Sequence, residues 1–165
     1  GELDFHLISE GRHERLWEVL GAHVKRESDG TLIGTAFSVW APNAQAVSLV
    51  GDHNFWDKNT HHMVRIGSSG IWEIFIPDIG VGTRYKFAIF GIDGRWVDHA
   101  DPMSRATEIP PLTASIVEES TYVWSDSDWI TKRTKFESWR SPVSVYEVHL
   151  GSWKLGLSYR ELQLN

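Results

Sequence analysis

A period of two in hydrophobicity runs through the middle of the chain, from about residue 35 to residue 117. Four segments there alternate apolar and polar side chains, so each predicts a β-strand with one buried face: TAFSVWA, AVSLVG, IWEIFI and RYKFAIF. Turn signals separate them, namely GSSG at 67–70 and Asp93-Gly94, and the second predicts a type I′ hairpin. Short strands with such turns indicate an antiparallel sandwich of the immunoglobulin type.

The alternation also assigns side chains to the two faces of the predicted sheets. In RYKFAIF, Tyr85 falls on the core side and Lys86 on the opposite side. Trp40 and Trp72 occupy strand positions as well, so we expect both to lie in the core together with Tyr85.

Helical signals flank the strands on both sides. RHERLWEVL at 12–20 predicts a short N-terminal helix that docks through its apolar face, including Trp17, and ends before a glycine. SDSDWITKR at 125–133 predicts a helical turn capped by Asp126 or Ser127.

A different kind of strand is predicted near the end of the sequence. VSVYEVHL at 143–150 is apolar on both faces, which is typical of strands in a parallel sheet or a barrel. A complete (β/α)8 barrel needs about 250 residues, whereas the chain has 165. We therefore expect one barrel strand without its neighbours, which would add to a sheet edge, pair two chains as a dimer, or fray.

The predicted fold class is mainly β. It is an immunoglobulin-like antiparallel β-sandwich with a short N-terminal helix and a C-terminal orphan barrel strand. The predicted parts are the N-terminal helix and lead-in at 1–30, the sandwich at 31–120, a linker at 121–142 and the start of a truncated (β/α)8 domain at 143–165.

Composition argues against several classes of protein. The net charge is −6 and the 16 Lys and Arg are scattered, so neither nucleic acid nor an anionic membrane is an expected partner. No apolar stretch approaches the roughly 20 residues that span a bilayer, and the N-terminus lacks the order of a secretory signal. The sequence contains no Cys, which fits a reducing compartment, so we expect a cytoplasmic location.

The loop GDHNFWDKNTHHM, residues 51–63, is rich in groups that bind metals, protons or polar ligands. His61 and His62 are adjacent and point opposite ways in an extended segment, so we expect no metal site. Asp52 and Asp57 would need a separation of about 5–5.5 Å across a sugar to act as a retaining glycosidase pair, which a short polar loop does not provide. We expect neither a catalytic pair nor a cofactor here.

A sugar-binding role fits this loop better. A glucose ring has C–H groups on its faces and hydroxyls on its rim, so it stacks on an exposed indole while nearby polar groups bond its oxygens. The candidates are Trp56 in the loop, Lys86 on the non-core face of its strand, Trp96 after the predicted hairpin turn, and Asn54 beside Trp56. Packing of the same aromatic side chains against another domain is the alternative.

Four segments carry a resemblance to a known family: WEVLGAHV, FSVWAPNAQAVSLVGDHNFWD, SSGIWEIFIPDIGVGTRYKFAI and SVYEVHLGSW. In this order they resemble the N-terminal region of bacterial 1,4-α-glucan (glycogen) branching enzymes, and the resemblance spans nearly the whole chain. The middle segments are similar to the isoamylase N-terminal-like carbohydrate-binding module, which is an immunoglobulin-like sandwich. LGAH and YEVHLGSW are more specific to branching enzymes than the motifs of the module.

The resemblance implies an enzyme whose reaction takes place outside this chain. Branching enzymes cleave an α-1,4 bond by a retaining double displacement and transfer the chain to a 6-hydroxyl. Their Asp nucleophile and Glu acid/base lie on later barrel strands, so we expect no catalytic residue here. The missing barrel and an α-glucan, such as glycogen or a maltooligosaccharide, become the expected partners.

The resemblance also implies roles for individual residues. In glycogen-binding members of the module family, the Trp of G-x-x-N-x-W, the Lys of Y-K-F and the Trp after D-G contact the glucan. Trp56, Lys86 and Trp96 match these positions. The chain departs from strong binders in TASIV, where Ala114 and Ser115 stand in place of an Asn.

Three functions remain open at this point. The first is the non-catalytic N-terminal part of a branching enzyme, which binds or helps orient α-glucan. The second is a purely structural scaffold on a barrel, or the same module in a debranching enzyme or trehalohydrolase. The third is an unrelated immunoglobulin-like adhesion domain.

Overall fold

The computed structural model describes residues 1–135, 140 and 142–163. The chain forms two compact units, Gly1–Thr121 and Tyr122–Asn165. Part of the predicted linker at 121–142 lies outside the described residues, at 136–139 and 141. The boundaries of the four predicted segments stay predictions.

The first unit begins with one short α-helix, α1 (Glu2–Ser9). The helix predicted at 12–20 is wrong, because only a single 3-10 turn forms there, at Leu16–Glu18. A short isolated helix is marginal, and Gly11, with φ of 68°, has already turned the chain out of α1. Trp17 is 51% exposed, so its predicted docking is wrong as well.

The remainder of the first unit is built from short strands. Those of the described residues are β1 (Gly21–Arg26), β2 (Leu32–Trp40), β3 (Ala46–Gly51), β4 (Val64–Arg65), β5 (Ile71–Pro77), β6 (Arg84–Phe90), β7 (Trp96–His99), β8 (Ala106–Thr107) and β9 (Ser115–Ile116). The first sheet has the order β1-β2-β5-β4, and all its pairs are antiparallel. β1 lies within the segment predicted as lead-in.

The second sheet is organised around β6. β3 pairs with one edge of β6, while β9 and β7 share the other edge, and β8 continues the sheet from β9. These pairs are antiparallel too, so the predicted sandwich of immunoglobulin type is confirmed.

Side chains from both sheets meet in one core. Phe37 on β2 contacts Tyr85 on β6 with ring centroids 4.9 Å apart, and Tyr85 contacts Phe87 at 5.8 Å. Trp72 and Tyr85 are buried as predicted, but Trp40 is 55% exposed. Val39 already occupies the core face of β2, so the next residue points to the other face, and the prediction for Trp40 is wrong.

β6 and β7 form the hairpin that Asp93-Gly94 predicts, but its turn is not type I′. A type I′ turn needs positive φ at both central residues. Here the amide of Gly94 donates to the carbonyl of Gly91, and only Gly94 has positive φ, at 74°. The central residues are therefore Ile92 and Asp93, and the glycine supplies the left-handed position that follows.

The second unit contains short helices: α2 (Ser127–Arg133), α3 (Leu150–Trp153) and α4 (Tyr159–Gln163). α2 confirms the predicted helical turn, and Asp126 is its N-cap residue, although the Asp126 side chain makes no capping hydrogen bond. Among the described residues, no helix is both long and apolar enough to cross a membrane.

The strand predicted at 143–150 is absent. Residues 142–149 have no regular secondary structure, and α3 begins at Leu150. Val143 and Val145 are 71% and 85% exposed. A strand forms only where another segment satisfies its backbone groups, and no strand of the described residues pairs with this one. The prediction of an orphan barrel strand at 143–150 is therefore wrong.

Candidate functional site

The outward surface of the second sheet, here called the outer face, carries two of the predicted binding residues. Tyr85 and Phe87 point into the core, so Lys86 between them lies on the outer face. In the β6–β7 ladder Phe90 pairs with Trp96. Directly paired residues of an antiparallel sheet share a face. Phe90 lies four positions after Lys86 on β6, so the side chains of both point to the outer face. Trp96 therefore lies on the outer face too.

The loop at residues 51–63, here called the NFWD loop, connects β3 to β4 beside this face. A Cβ atom on Gly51 would lie 2.3 Å from the carbonyl oxygen of Arg84. Only glycine lets the loop leave β3 so close to β6. At its other end, the amide of Leu49 donates to the carbonyl of His61 at 2.9 Å, so the loop returns along the edge of β3.

Asn54 holds the NFWD loop together from inside. It is 7% exposed. Its Nδ2 donates to the carbonyls of Leu49 and Asp57 at 2.9 and 3.1 Å, and its Oδ1 accepts from the amide of Gly51 at 3.0 Å. The prediction that Asn54 bonds a sugar directly is therefore corrected, because its amide is buried and already bonded. Asn54 is a positioning residue for the loop.

Trp56 lies at the tip of the NFWD loop and is 39% exposed. Its amide donates to the carbonyl of Gly51 at 3.0 Å. Phe55 and Trp56 both have positive φ, at 53° and 64°. Bulky side chains rarely adopt this left-handed conformation, so the loop places the indole at some conformational cost.

A contact within the first unit brings the NFWD loop to Trp96. The Nζ atom of Lys58 lies 5.9 Å from the centroid of the Trp96 ring. The Trp96 ring also packs against Phe90, with centroids 5.3 Å apart. Lys58 was not a predicted site residue, because nothing in the local pattern relates it to a side chain 38 positions further along.

Lys86 has a polar neighbour that also was not predicted. Its Nζ donates to Oγ1 of Thr113 at 2.7 Å. Thr113 is exposed and belongs to the TASIV segment, whereas Ala114 and Ser115 of that segment are 1% and 0% exposed. The polar group that this segment offers beside Lys86 is thus the Thr113 hydroxyl.

Asp52 of the NFWD loop forms an ion pair, and two of the loop's imidazole rings contact each other. Arg84 donates from two nitrogens to the Asp52 carboxylate, each at 2.9 Å, and holds the pKa of Asp52 below its usual value. His53 packs edge-on against His61 with centroids 5.0 Å apart. In the described part of the chain, no three His, Cys, Asp or Glu side chains converge as metal ligands.

A cavity of about 290 Å³ lies elsewhere in the first unit, beside Trp40. Most of its lining is aliphatic, including Leu16, Leu20 and Val39. Asp101 contributes a buried carboxylate, but this already accepts from the Tyr85 hydroxyl at 2.5 Å. Such a lining offers few free groups for sugar hydroxyls, which favours the outer face as the sugar site.

Comparisons with known proteins bear on this site. The sequence profile of carbohydrate-binding module 48 (isoamylase N-terminal domain) matches residues 19–104. The chain is 58% identical to the 1,4-alpha-glucan branching enzyme GlgB of Nocardia farcinica and 56% identical to that of Rhodococcus jostii. Each match covers 98% of this chain but 22% of the relative. The chain thus spans about a fifth of the length of the curated relatives it matches.

Solved structures with a similar fold include two pullulanases. The type I pullulanase from Bacillus subtilis str. 168, complexed with maltose, has a TM-score of 0.51 at 22% identity, over 64% of this chain and 14% of that one. The pullulanase from Anoxybacillus sp. LM18-11, complexed with maltotetraose, has a TM-score of 0.50 at 23% identity, over 66% and 16%. At such identity the likeness shows the fold alone.

Proposed function

The chain belongs to the carbohydrate-binding module 48 family, the isoamylase N-terminal domain, and from this premise we propose that its outer face binds α-glucan through Trp56, Lys86 and Trp96. The observation that carries the proposal is the meeting of the NFWD loop with Trp96. Lys58, two residues after Trp56, lies over the Trp96 ring. The NFWD loop, which carries Trp56, therefore borders the same face of the second sheet as Lys86 and Trp96.

Each residue has a distinct part in the proposed site. The Trp56 indole is exposed enough to stack on the C–H face of a glucosyl unit. Trp96 supplies a second ring, held in place by Phe90. Lys86 donates to sugar hydroxyls, with Thr113 fixing its ammonium group beside the site.

We extend the proposal to the longer protein. We infer that this chain is the non-catalytic N-terminal part of a cytoplasmic 1,4-α-glucan branching enzyme, which would cleave α-1,4 bonds and form α-1,6 branches. The printed name of the relatives, 1,4-alpha-glucan branching enzyme, supports the branching activity. In that role the sandwich would hold a glucan chain near a catalytic (β/α)8 barrel, its second proposed partner. A second copy of this chain, paired through residues 143–150, is a third proposed partner. Such pairing would require residues 143–149, which are irregular here, and Leu150, the first residue of α3, to become a strand on association.

A scaffold role is the second candidate function, and one observation favours it. Trp96 is only partly exposed, since Phe90 and Lys58 cover its ring. Aromatic residues of this kind also serve domain interfaces. In that case the outer face would pack against a barrel, of a branching or a debranching enzyme, and would not touch sugar.

Affinity electrophoresis in gels that contain glycogen separates the two candidates. We expect glycogen to retard the wild-type chain, and Trp56→Ala and Trp96→Ala each to weaken binding about tenfold. Trp129→Ala, which removes a 57% exposed indole from α2, is the matched control and should leave the retardation unchanged. Equal mobility of the wild type with and without glycogen would reject glucan binding and leave the scaffold.

A further inference from the structure

Phe55, beside Trp56, is the most exposed large apolar side chain of the NFWD loop. Its exposed fraction is 94%, so its ring makes almost no packing contact within the first unit. A solvated aromatic ring adds nothing to stability through burial. Packing in the hydrophobic core therefore does not explain why this residue is Phe.

The backbone at this position also disfavours phenylalanine. Phe55 has φ of 53° and ψ of 30°, which is the left-handed region. Glycine or asparagine adopts this conformation with less strain than a bulky residue. The loop thus contains a bulky residue whose backbone conformation is strained and whose side chain is exposed to solvent.

The loop around Phe55 is nevertheless firmly held. Asn54 fixes the preceding residue from inside the loop, and the amide of Trp56 bonds to Gly51. The amide of Asp57 donates to the carbonyl of Asn54 at 3.0 Å. A loop whose backbone is held in position before binding loses less conformational freedom when its side chains contact a ligand.

We propose that Phe55 is a second stacking platform for the same α-glucan chain, so that the NFWD loop contacts glucosyl units beyond the one stacked on Trp56. This inference rests on the proposed glucan binding. The residues that follow in the loop are polar: Lys58, Asn59 and Thr60 are all exposed. An exposed ring followed by hydrogen-bonding groups suits a sugar, which has apolar faces and a polar rim, better than an apolar protein surface.

The conformation of the two residues further indicates which glucans fit. Successive residues in a helical conformation point their side chains about 100° apart around the axis. The Cα–Cβ bonds of Phe55 and Trp56, both at positive φ, therefore point in different directions, which disfavours flat stacking of one straight ligand on both rings. An α-1,4-linked chain curls, whereas a β-1,4-linked chain is extended. Phe55 should thus favour α-1,4-glucans long enough to bend across both rings.

Calorimetric titration with maltotriose, maltoheptaose and cellohexaose tests this role. Phe55→Asn removes the ring but keeps a residue that tolerates positive φ. We expect it to weaken maltoheptaose binding about tenfold and maltotriose binding less than twofold. Leu155→Asn, which removes an 84% exposed side chain in the second unit, is the control and should change neither.

The possible failures are distinguishable. Unchanged maltoheptaose affinity in Phe55→Asn, together with lost affinity in Trp56→Ala, would overturn the role of Phe55 and leave the proposed function intact. Equal weakening of both maltooligosaccharides would mean that the substitution loosened the loop, which also overturns a stacking role. Cellohexaose binding as tight as that of maltoheptaose would contradict the selectivity for curved chains. Absence of any binding by the wild type would overturn both the inference and the proposed function.

Discussion

Asn54 is the residue on which the shape of the proposed site depends. Its buried amide bonds to Gly51, Leu49 and Asp57, and each such bond contributes about 1 kcal/mol net to stability. We predict that Asn54→Ala lowers the free energy of unfolding by about 2–3 kcal/mol and abolishes glucan binding, because Trp56 loses its position. Urea denaturation and the glycogen gel measure the two effects.

Asn59→Ala provides the matched control for this prediction. Asn59 lies in the same loop but is exposed, and its side chain donates to Asp57. Its removal should change the free energy of unfolding by no more than about 0.5 kcal/mol. Equal losses in the two variants would show that the burial of Asn54 is not what holds the loop.

His53 makes the stability of the first unit dependent on pH. Burial lowers the pKa of His53 from the ordinary 6.5, and the neighbouring His61 adds to this shift. The unfolded chain then binds a proton at a higher pH than the folded chain, so stability falls as pH decreases below about 6.5. We predict that the wild type loses stability relative to His53→Phe on going from about pH 7.5 to about pH 5.

The measurement is a series of urea denaturations across this pH range. His149→Phe, at an exposed position of the second unit, is the control and should follow the wild type throughout. A stability difference between wild type and His53→Phe that does not vary with pH would contradict the assignment.

At the scale of elements, alternation predicted four of the strands but missed β1, which has six residues and lies in the segment predicted as lead-in. β2, β3, β5 and β6 each present one apolar face, so local sequence was sufficient to place them. β8 and β9 have two residues each, too few for any period to appear. Trp40 does occupy a strand position, but it follows the core residue Val39 on β2 and therefore points away from the core.

The same contrast holds for the candidate site. Alternation alone assigned Lys86 to the non-core face, and the structure agrees. The burial of Asn54 could not be predicted, since it depends on how the loop folds back over Leu49. The contact of Lys58 with Trp96 joins distant parts of the chain, which only the tertiary fold brings together.

The segment at 143–150 shows that an apolar pattern does not make a strand without a partner. We predict that backbone amides of residues 142–149 exchange with solvent rapidly, whereas those of β5 exchange slowly, because β5 is paired on both edges. Hydrogen exchange with mass spectrometry, at two protein concentrations, tests this. Protection of 142–149 that grows with concentration would instead support pairing of two copies through this segment.

At the scale of the whole molecule, sequence and fold resemblance carry different information. Pullulanases share the sandwich at 22–23% identity, so the fold alone does not distinguish branching enzymes from pullulanases. The branching enzymes of Nocardia and Rhodococcus match 98% of the chain, including the second unit that the module profile does not reach. This extent of similarity is what favours a branching enzyme in the proposal.

The central claim is that α-glucan binds the outer face of the second sheet, and the chain contains its own reporters. It has nine Trp, each with an indole N–H signal in a two-dimensional NMR spectrum. On titration with maltoheptaose we predict shifts of the Trp56 and Trp96 signals, while Trp40, 55% exposed on the first sheet, stays unchanged. No shift at any indole up to millimolar ligand, or a shift of Trp40 without Trp56 and Trp96, would contradict the claim.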